Sequence, residues 1–125
     1  MENIITCDNN YCEMALKNRD GNIVANTVFS KRHTKNVKKF KWHLWVKNNK
    51  WGKVYYYIAA KIRINGKPKT FYLHHLIMGK PEGTNVIDHI NRNTFDNRDE
   101  NLRIASRKEN LLNTEYKIFG KFTIN

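Results

Sequence analysis

Alternation of apolar and polar residues predicts several short β-strands in the first two thirds of the chain. Residues 11–16 and 23–29 are two such segments, and Asp20-Gly21 between them is typical of a hairpin turn. Residues 54–64 are rich in aromatic and β-branched side chains, which favour a strand. Asn65-Gly66 then predicts a tight turn into a returning strand. This part of the chain is therefore predicted to form a small antiparallel sheet.

The last third has a different pattern, which predicts a strand, a loop, a second strand and a helix between residues 85 and 113. The two apolar segments are 86–90 and 102–105, separated by a loop dense in Asn, Asp and Arg. Ser106 followed three residues later by Glu109 is a capping box, which marks the start of a helix. Together with the earlier strands, this pattern predicts an α+β fold.

The distribution of charge along the chain indicates an anionic binding partner. The chain carries 23 Lys and Arg against 11 Asp and Glu, a formal net charge of +12. Residues 21–81 contain 14 of these cations and no acidic residue at all. Such a stretch suits a polyanion, because each cation placed on a phosphate releases a condensed counterion. An anionic membrane surface is the alternative, but no long basic amphipathic helix and no membrane-spanning apolar run is present.

The chain has two cysteines, Cys7 and Cys12. Two cysteines cannot form a four-cysteine zinc site, and no histidine lies near them in sequence. The first residues, MENIITCDNN, lack the apolar core of a signal peptide. We therefore expect two reduced thiols in an intracellular protein.

Candidate chemistry is concentrated around Asp88-His89, at the end of the first late strand. Hydrolysis of a phosphodiester needs a base for water and a cation for the developing charge. Asp88 offers a hard oxygen ligand for Mg²⁺, and His89 can accept a proton. Asn101 stands just before the second strand, where it can tie the loop, and Asn110 stands on the capped helix, where its amide oxygen can complete the metal site.

The run LHHLIMGKPEGTNVIDHINRNTFDNRDENLRIASRKENLLN resembles HNH endonucleases, in particular the phage and intron-encoded homing type. This resemblance implies a ββα-metal motif, with His89 as general base and Asp88 and Asn110 as metal ligands. It implies that Asn101 is the structural middle asparagine of the signature. It also implies a divalent ion at the scissile phosphate, duplex DNA as substrate, and products with 5′-phosphate and 3′-hydroxyl ends.

The chain departs from the family pattern at two informative places. His75 stands where the family often has an arginine that contacts phosphate, and Asn110 stands where a histidine is common. An amide ligand favours one Mg²⁺ or Mn²⁺ ion over zinc-type ions, with Asn113 as the alternative ligand if the helix register differs. The candidate DNA-contacting residues are Lys61, Arg63, His75, Arg92, Arg98, Arg103 and Arg107.

The predicted organisation is one compact domain with three parts. Residues 1–84 form a basic, β-rich region that contacts DNA, residues 85–113 form the nuclease motif, and residues 114–125 form a tail. The predicted function is that of a metal-dependent DNA endonuclease, monomeric and acting inside a host cell. The resemblance to phage enzymes is consistent with a phage or virus gene. Two alternatives are a catalytically inactive or regulatory DNA-binding protein on the same scaffold, and a basic protein that coats nucleic acid.

Other residues with possible functional chemistry are predicted to be structural. His74 precedes an apolar segment and is expected to be a packed core histidine. Asn97 is expected to be an ordinary loop residue. The tryptophans are expected to pack in the core or on a sheet, and they are Trp42, Trp45 and Trp51.

Overall fold

The computed structural model describes residues 3–110, which form short strands and two short helices arranged as three small sheets. The strands are β1 (Ile5–Cys7), β2 (Tyr11–Lys17), β3 (Ile23–Ser30), β4 (His43–Asn48), β5 (Val54–Ile64), β6 (Lys67–Tyr72), β7 (Val86–His89), β8 (Asp96–Asn97) and β9 (Leu102–Ala105). The helices are α1 (Thr34–Val37) and α2 (Leu73–Met78), with 3₁₀ turns at Lys31–His33 and Asp99–Asn101. A helical turn at 107–110 ends the described region. The predicted α+β class is confirmed.

The first sheet has the strand order β1-β2-β3-β8. The predicted hairpin between β2 and β3 is present, and Gly21 has the positive φ of 84° that its turn requires. β8 joins this sheet from far along the chain, by pairing in parallel with β3. This strand was not predicted, because it is only two residues long and forms only where β3 offers an edge.

The prediction of two reduced thiols is wrong, because Cys7 and Cys12 are joined by a disulfide. The antiparallel register of β1 and β2 places these two residues directly opposite each other. Asp8 holds the intervening turn, since its carboxylate accepts hydrogen bonds from the backbone N–H groups of Asn10 and Tyr11. The pairing therefore depends on strand register, which the spacing of the two cysteines does not reveal.

The second sheet is the antiparallel set β4-β5-β6. The predicted turn between β5 and β6 is present, with φ of 52° at Asn65 and 77° at Gly66. One face of β5 contributes Ile58 and Ala60 to the hydrophobic core. Because side chains alternate along a strand, Tyr57 and its alternate neighbours lie on the opposite face of the sheet.

The core lies between the first two sheets and α2. Its largest buried side chains include Trp42, Phe29 and Leu73. The indole N–H of Trp42 donates to the carbonyl of Val37 at 2.8 Å, which satisfies its polar group inside the core. Trp51 differs from the expectation for tryptophans, because it is 79% exposed at the tip of the β4–β5 hairpin.

The third sheet is the hairpin of β7 and β9, which the sequence pattern predicted. The capping box is also confirmed, since Ser106 and Glu109 each accept a hydrogen bond of 3.1 Å from the other's backbone N–H. The predicted apolar face of the following helix and the alternative ligand Asn113 lie outside the described residues, as does the tail. Within residues 3–110, no helix is long and apolar enough to cross a membrane.

Candidate active site

Asp88 and His89 occupy the end of β7, and both are buried, with exposed fractions of 4% and 7%. Their partners on β9 are Arg103 and Leu102. Arg103 Nε donates to Asp88 Oδ2 at 3.0 Å, so the buried carboxylate has a cation beside it. Without such a partner, burial of an ionised carboxylate would be costly.

The ring of His89 is held by Asn97. His89 Nε2 lies 2.9 Å from Asn97 Oδ1, and the amide of Asn97 is oriented by its other contacts. Asn97 Nδ2 donates to Thr27 Oγ1 at 2.9 Å and to the Thr94 carbonyl at 3.1 Å. The hydroxyl of Thr27 donates in turn to the Phe95 carbonyl at 2.7 Å, so it accepts from Asn97.

This network determines the tautomer of His89. Asn97 must present its oxygen to the ring, because its nitrogen is already committed as a donor. His89 Nε2 therefore carries the hydrogen, and Nδ1 carries the lone pair. Burial lowers the pKa of His89, although the Asn97 hydrogen bond and the charges of Asp88 and Asp96 act in the opposite direction. A neutral imidazole with a lone pair on Nδ1 is a competent proton acceptor near pH 7.

His74 packs against the other side of this histidine, with its ring centroid 5.2 Å from that of His89. It is buried, as its position before an apolar segment predicted, and it stacks on Tyr72 with a centroid distance of 5.3 Å. Burial lowers the pKa of His74 to about 3, and the nearby His89 and His75 act in the same direction. His74 is therefore uncharged near pH 7 and packs against one side of the site.

Asn101 ties the two ends of the loop between β7 and β9. Its side-chain Nδ2 donates to Asn91 Oδ1 at 2.9 Å and to the Asp96 carbonyl at 2.8 Å. Its own Oδ1 accepts from the backbone N–H of Asn91 at 2.9 Å. Asn101 does not contact His89 through these bonds, so the asparagine that contacts the candidate base is Asn97. Sequence reasoning missed that role, and the loop composition gave no signal for it.

The candidate metal ligands lie on two elements that are separated in sequence by β8 and β9. Asp88 is on β7, and Asn110 is on the helical turn that follows β9, where its backbone N–H donates to the Ser106 carbonyl at 3.0 Å. Among the described residues, no group of three or more His, Cys, Asp or Glu has a metal-binding arrangement. A site made of one carboxylate and one amide contains only one residue of these four types, so it would not form such a group. The hard oxygens of the carboxylate and the amide fit Mg²⁺ or Mn²⁺, with water and phosphate as further ligands.

The candidate DNA-contacting residues fall into three sets. Lys61 and Arg63 are exposed on β5, in a different sheet from Asp88 and His89. Arg103 and Arg98 form ion pairs with acidic residues. Arg98 donates two hydrogen bonds of 2.8 Å to the Asp96 carboxylate, and this pairing raises the pKa of the Arg98 guanidinium. The third set surrounds the hairpin, and its members are the half-buried His75 and Arg92 and the exposed Arg107.

The comparison with protein families found a match over the part of the chain that carries the candidate site. Residues 71–112, about a third of the chain, match a family profile described as "HNH endonuclease". No curated protein and no solved structure was found to match the chain. The segment that carries α2 and the β7–β9 hairpin is therefore similar to HNH endonucleases, a family of nucleases.

Proposed function

We propose that this protein is a metal-dependent endonuclease that hydrolyses phosphodiester bonds in duplex DNA. The observation that carries the proposal is the buried pair Asp88 and His89, with Asn97 fixing the tautomer of the histidine, inside an HNH endonuclease segment. This hydrogen bond leaves Nδ1 of His89 as the ring nitrogen that can accept a proton.

Each side chain has a distinct task in the proposed reaction. His89 Nδ1 accepts a proton from the attacking water, and Asn97 keeps that nitrogen unprotonated by holding the hydrogen on Nε2. Asp88 and Asn110 would hold a divalent ion, which when bound would stabilise the charge on the phosphate and on the leaving 3′ oxygen. Arg103 orients the Asp88 carboxylate, and Asn101 ties the loop. The expected products have 5′-phosphate and 3′-hydroxyl ends.

The charge of the chain supports DNA as the substrate. The acid-free stretch 21–81 contains Lys61 and Arg63, which are both exposed, and Arg107 is exposed beside the hairpin. Arg98 is left out of the proposed DNA contacts, because a phosphate would have to compete with its paired bonds to Asp96. A single site makes one cut per binding event, so we expect a monomer that nicks one strand. The sequence resemblance supports a homing-type enzyme acting inside a host cell.

The central test is conversion of supercoiled plasmid to nicked circles with Mg²⁺ or Mn²⁺, compared with EDTA. We expect nicking only with the metals. His89→Ala should lower the cleavage rate by about 10²–10⁴-fold and leave metal affinity intact, because a general base acts in the transition state. Asp88→Ala should lose both cleavage and metal affinity. Asn110→Ala should be a weaker version of Asp88→Ala, partly restored by Mn²⁺.

Asp20→Ala is the matched control, because Asp20 is an exposed carboxylate in the β2–β3 turn. It should cleave like the unmodified protein. Full activity in EDTA would contradict metal dependence, and unchanged cleavage in both His89→Ala and Asp88→Ala would place the active site elsewhere. Metal-independent DNA binding without any nicking would favour the alternative of an inactive DNA-binding protein.

A further inference from the structure

One face of the β4-β5-β6 sheet is lined by aromatic side chains that lie outside the hydrophobic core. Strand register places four rings on this side, opposite the face that buries Ile58 and Ala60. Each ring is only partly buried. We name this surface the aromatic face, and its rings are Trp45, Tyr55, Tyr57 and Tyr72.

Cations share the aromatic face, and acidic residues do not. No Asp or Glu occurs between residues 21 and 81, a range that contains all three strands. Lys61 Nζ lies 5.8 Å from the Trp45 ring, and Lys53 Nζ lies 5.3 Å from the Tyr55 ring. The exposed basic side chains on the same side of the sheet are His43, Lys47, Lys61 and Arg63. Charge complementarity therefore selects an anionic occupant.

The aromatic face is continuous with the candidate active site. The ring of Tyr57 lies 5.8 Å from that of His74, and Tyr72 stacks on His74 at 5.3 Å. His74 in turn contacts His89. The rings of Tyr57 and Tyr72 therefore border the side chain that packs against His89.

We propose that the aromatic face binds unpaired nucleotides of the DNA strand that enters the active site. Aromatic rings stack on any base, and cations between them track the phosphates, which is the chemistry of single-strand binding. Rings two residues apart on a strand are separated by about 6.6 Å, about twice the 3.4 Å rise of stacked bases, so each can meet a separate base of an extended strand. A duplex would bury its base faces and leave these rings without partners.

This inference rests on the proposed function only in that the occupant is DNA, and binding in EDTA measures it without cleavage. The experiment uses fluorescence anisotropy of the full chain with a labelled 20-nucleotide DNA strand and with the duplex of the same sequence. We expect the single strand to bind at least about tenfold more tightly, given that stacking contributes about 1–3 kcal/mol per base. Trp45→Ala and Tyr55→Ala should each weaken single-strand binding by about 5- to 100-fold and change duplex binding much less.

Trp51→Ala is the matched control, because Trp51 is the more exposed indole and lies at the hairpin tip, outside the aromatic face. It should bind the single strand like the unmodified protein, and near-ultraviolet circular dichroism should show that all three variants are folded. Equal affinity for duplex and single strand would overturn the inference, as would unchanged binding in both Trp45→Ala and Tyr55→Ala. An equal loss of single-strand affinity in Trp51→Ala would also overturn it. So would tighter binding of the matching RNA strand than of the DNA strand. Single-strand binding without nicking would contradict the proposed function alone.

Discussion

Replacing Asn97 by alanine separates the positioning of the candidate base from its chemistry. The variant removes the oxygen that accepts from His89 Nε2 and leaves a buried N–H without that acceptor. An unsatisfied buried donor costs about 1–3 kcal/mol. His89 can relieve this cost by adopting its other tautomer or by rotating its ring. Either change removes the Nδ1 lone pair from the position where it would accept a proton from water. We therefore expect the cleavage rate to fall by about 10- to 100-fold, less than in His89→Ala.

The same substitution must also affect stability, and the two effects have to be distinguished. Asn97 makes three side-chain hydrogen bonds, to His89, Thr27 and the Thr94 carbonyl. At about 1 kcal/mol each, their loss should lower the free energy of unfolding by about 3 kcal/mol, on the order of 10 °C in Tm. Thr27→Val is the matched control, because it breaks the same network but leaves Asn97 Oδ1 on His89.

The assay is single-turnover cleavage of a labelled duplex at saturating Mg²⁺, at a temperature well below the Tm of every variant. Asn97→Ala should be slow, and Thr27→Val should cleave at nearly the unmodified rate despite its lower Tm. The hydrogen bond to Asn97 raises the pKa of His89, so its removal should also move the acid limb of the pH–rate profile to lower pH. Equal slowing in both variants, or an unmodified rate in Asn97→Ala, would refute the proposed role of Asn97.

Two further predictions concern charge. Because His74 has a pKa of about 3 in the folded protein, the unfolded chain binds its proton first as the pH falls from 7 to 5. The free energy of unfolding should therefore fall over this range, and His74→Phe should remove about 2 kcal/mol of that fall. Urea titrations at the two pH values measure it. An unchanged fall in His74→Phe would contradict the burial argument. Replacing Lys61 and Arg63 with alanine should reduce the slope of log affinity for duplex DNA against log salt by about 1–2, with metal binding unchanged. Lys67 and Lys69 lie on the opposite face of β6, so the same change at these two residues should leave the slope nearly unaffected.

The features that could be predicted from sequence are those that depend on neighbouring residues. The apolar pattern of β5, the Asn65-Gly66 turn and the Ser106 cap are each specified within a few positions. They therefore appear in the structure where the pattern places them. Asp88-His89 was singled out as a candidate site in the same way, because the motif and its surroundings are contiguous in sequence.

The features that could not be predicted depend on pairings between distant residues. The disulfide forms because of the register between β1 and β2, and β8 forms because β3 offers an edge. Asn97 is one of four asparagines between residues 91 and 101, and its contacts with Thr27 and His89 distinguish it from the others. Trp51 is exposed because the hairpin tip extends away from the core, a fact that its apolar character could not reveal.

The parallel pairing of β8 with β3 has a consequence for how the protein folds. Thr27 and Asn97 are 70 residues apart in sequence, and their contact closes a loop that includes the whole second sheet. Closing so long a loop is entropically costly, so contacts of this kind form late and slow the folding reaction. His89 acquires its final orientation only when β8, which carries Asn97, has paired with β3. A nascent or partly unfolded chain would thus carry the residues of the candidate active site without their arrangement, and the proposed hydrolytic activity would arise together with the last cooperative step of folding.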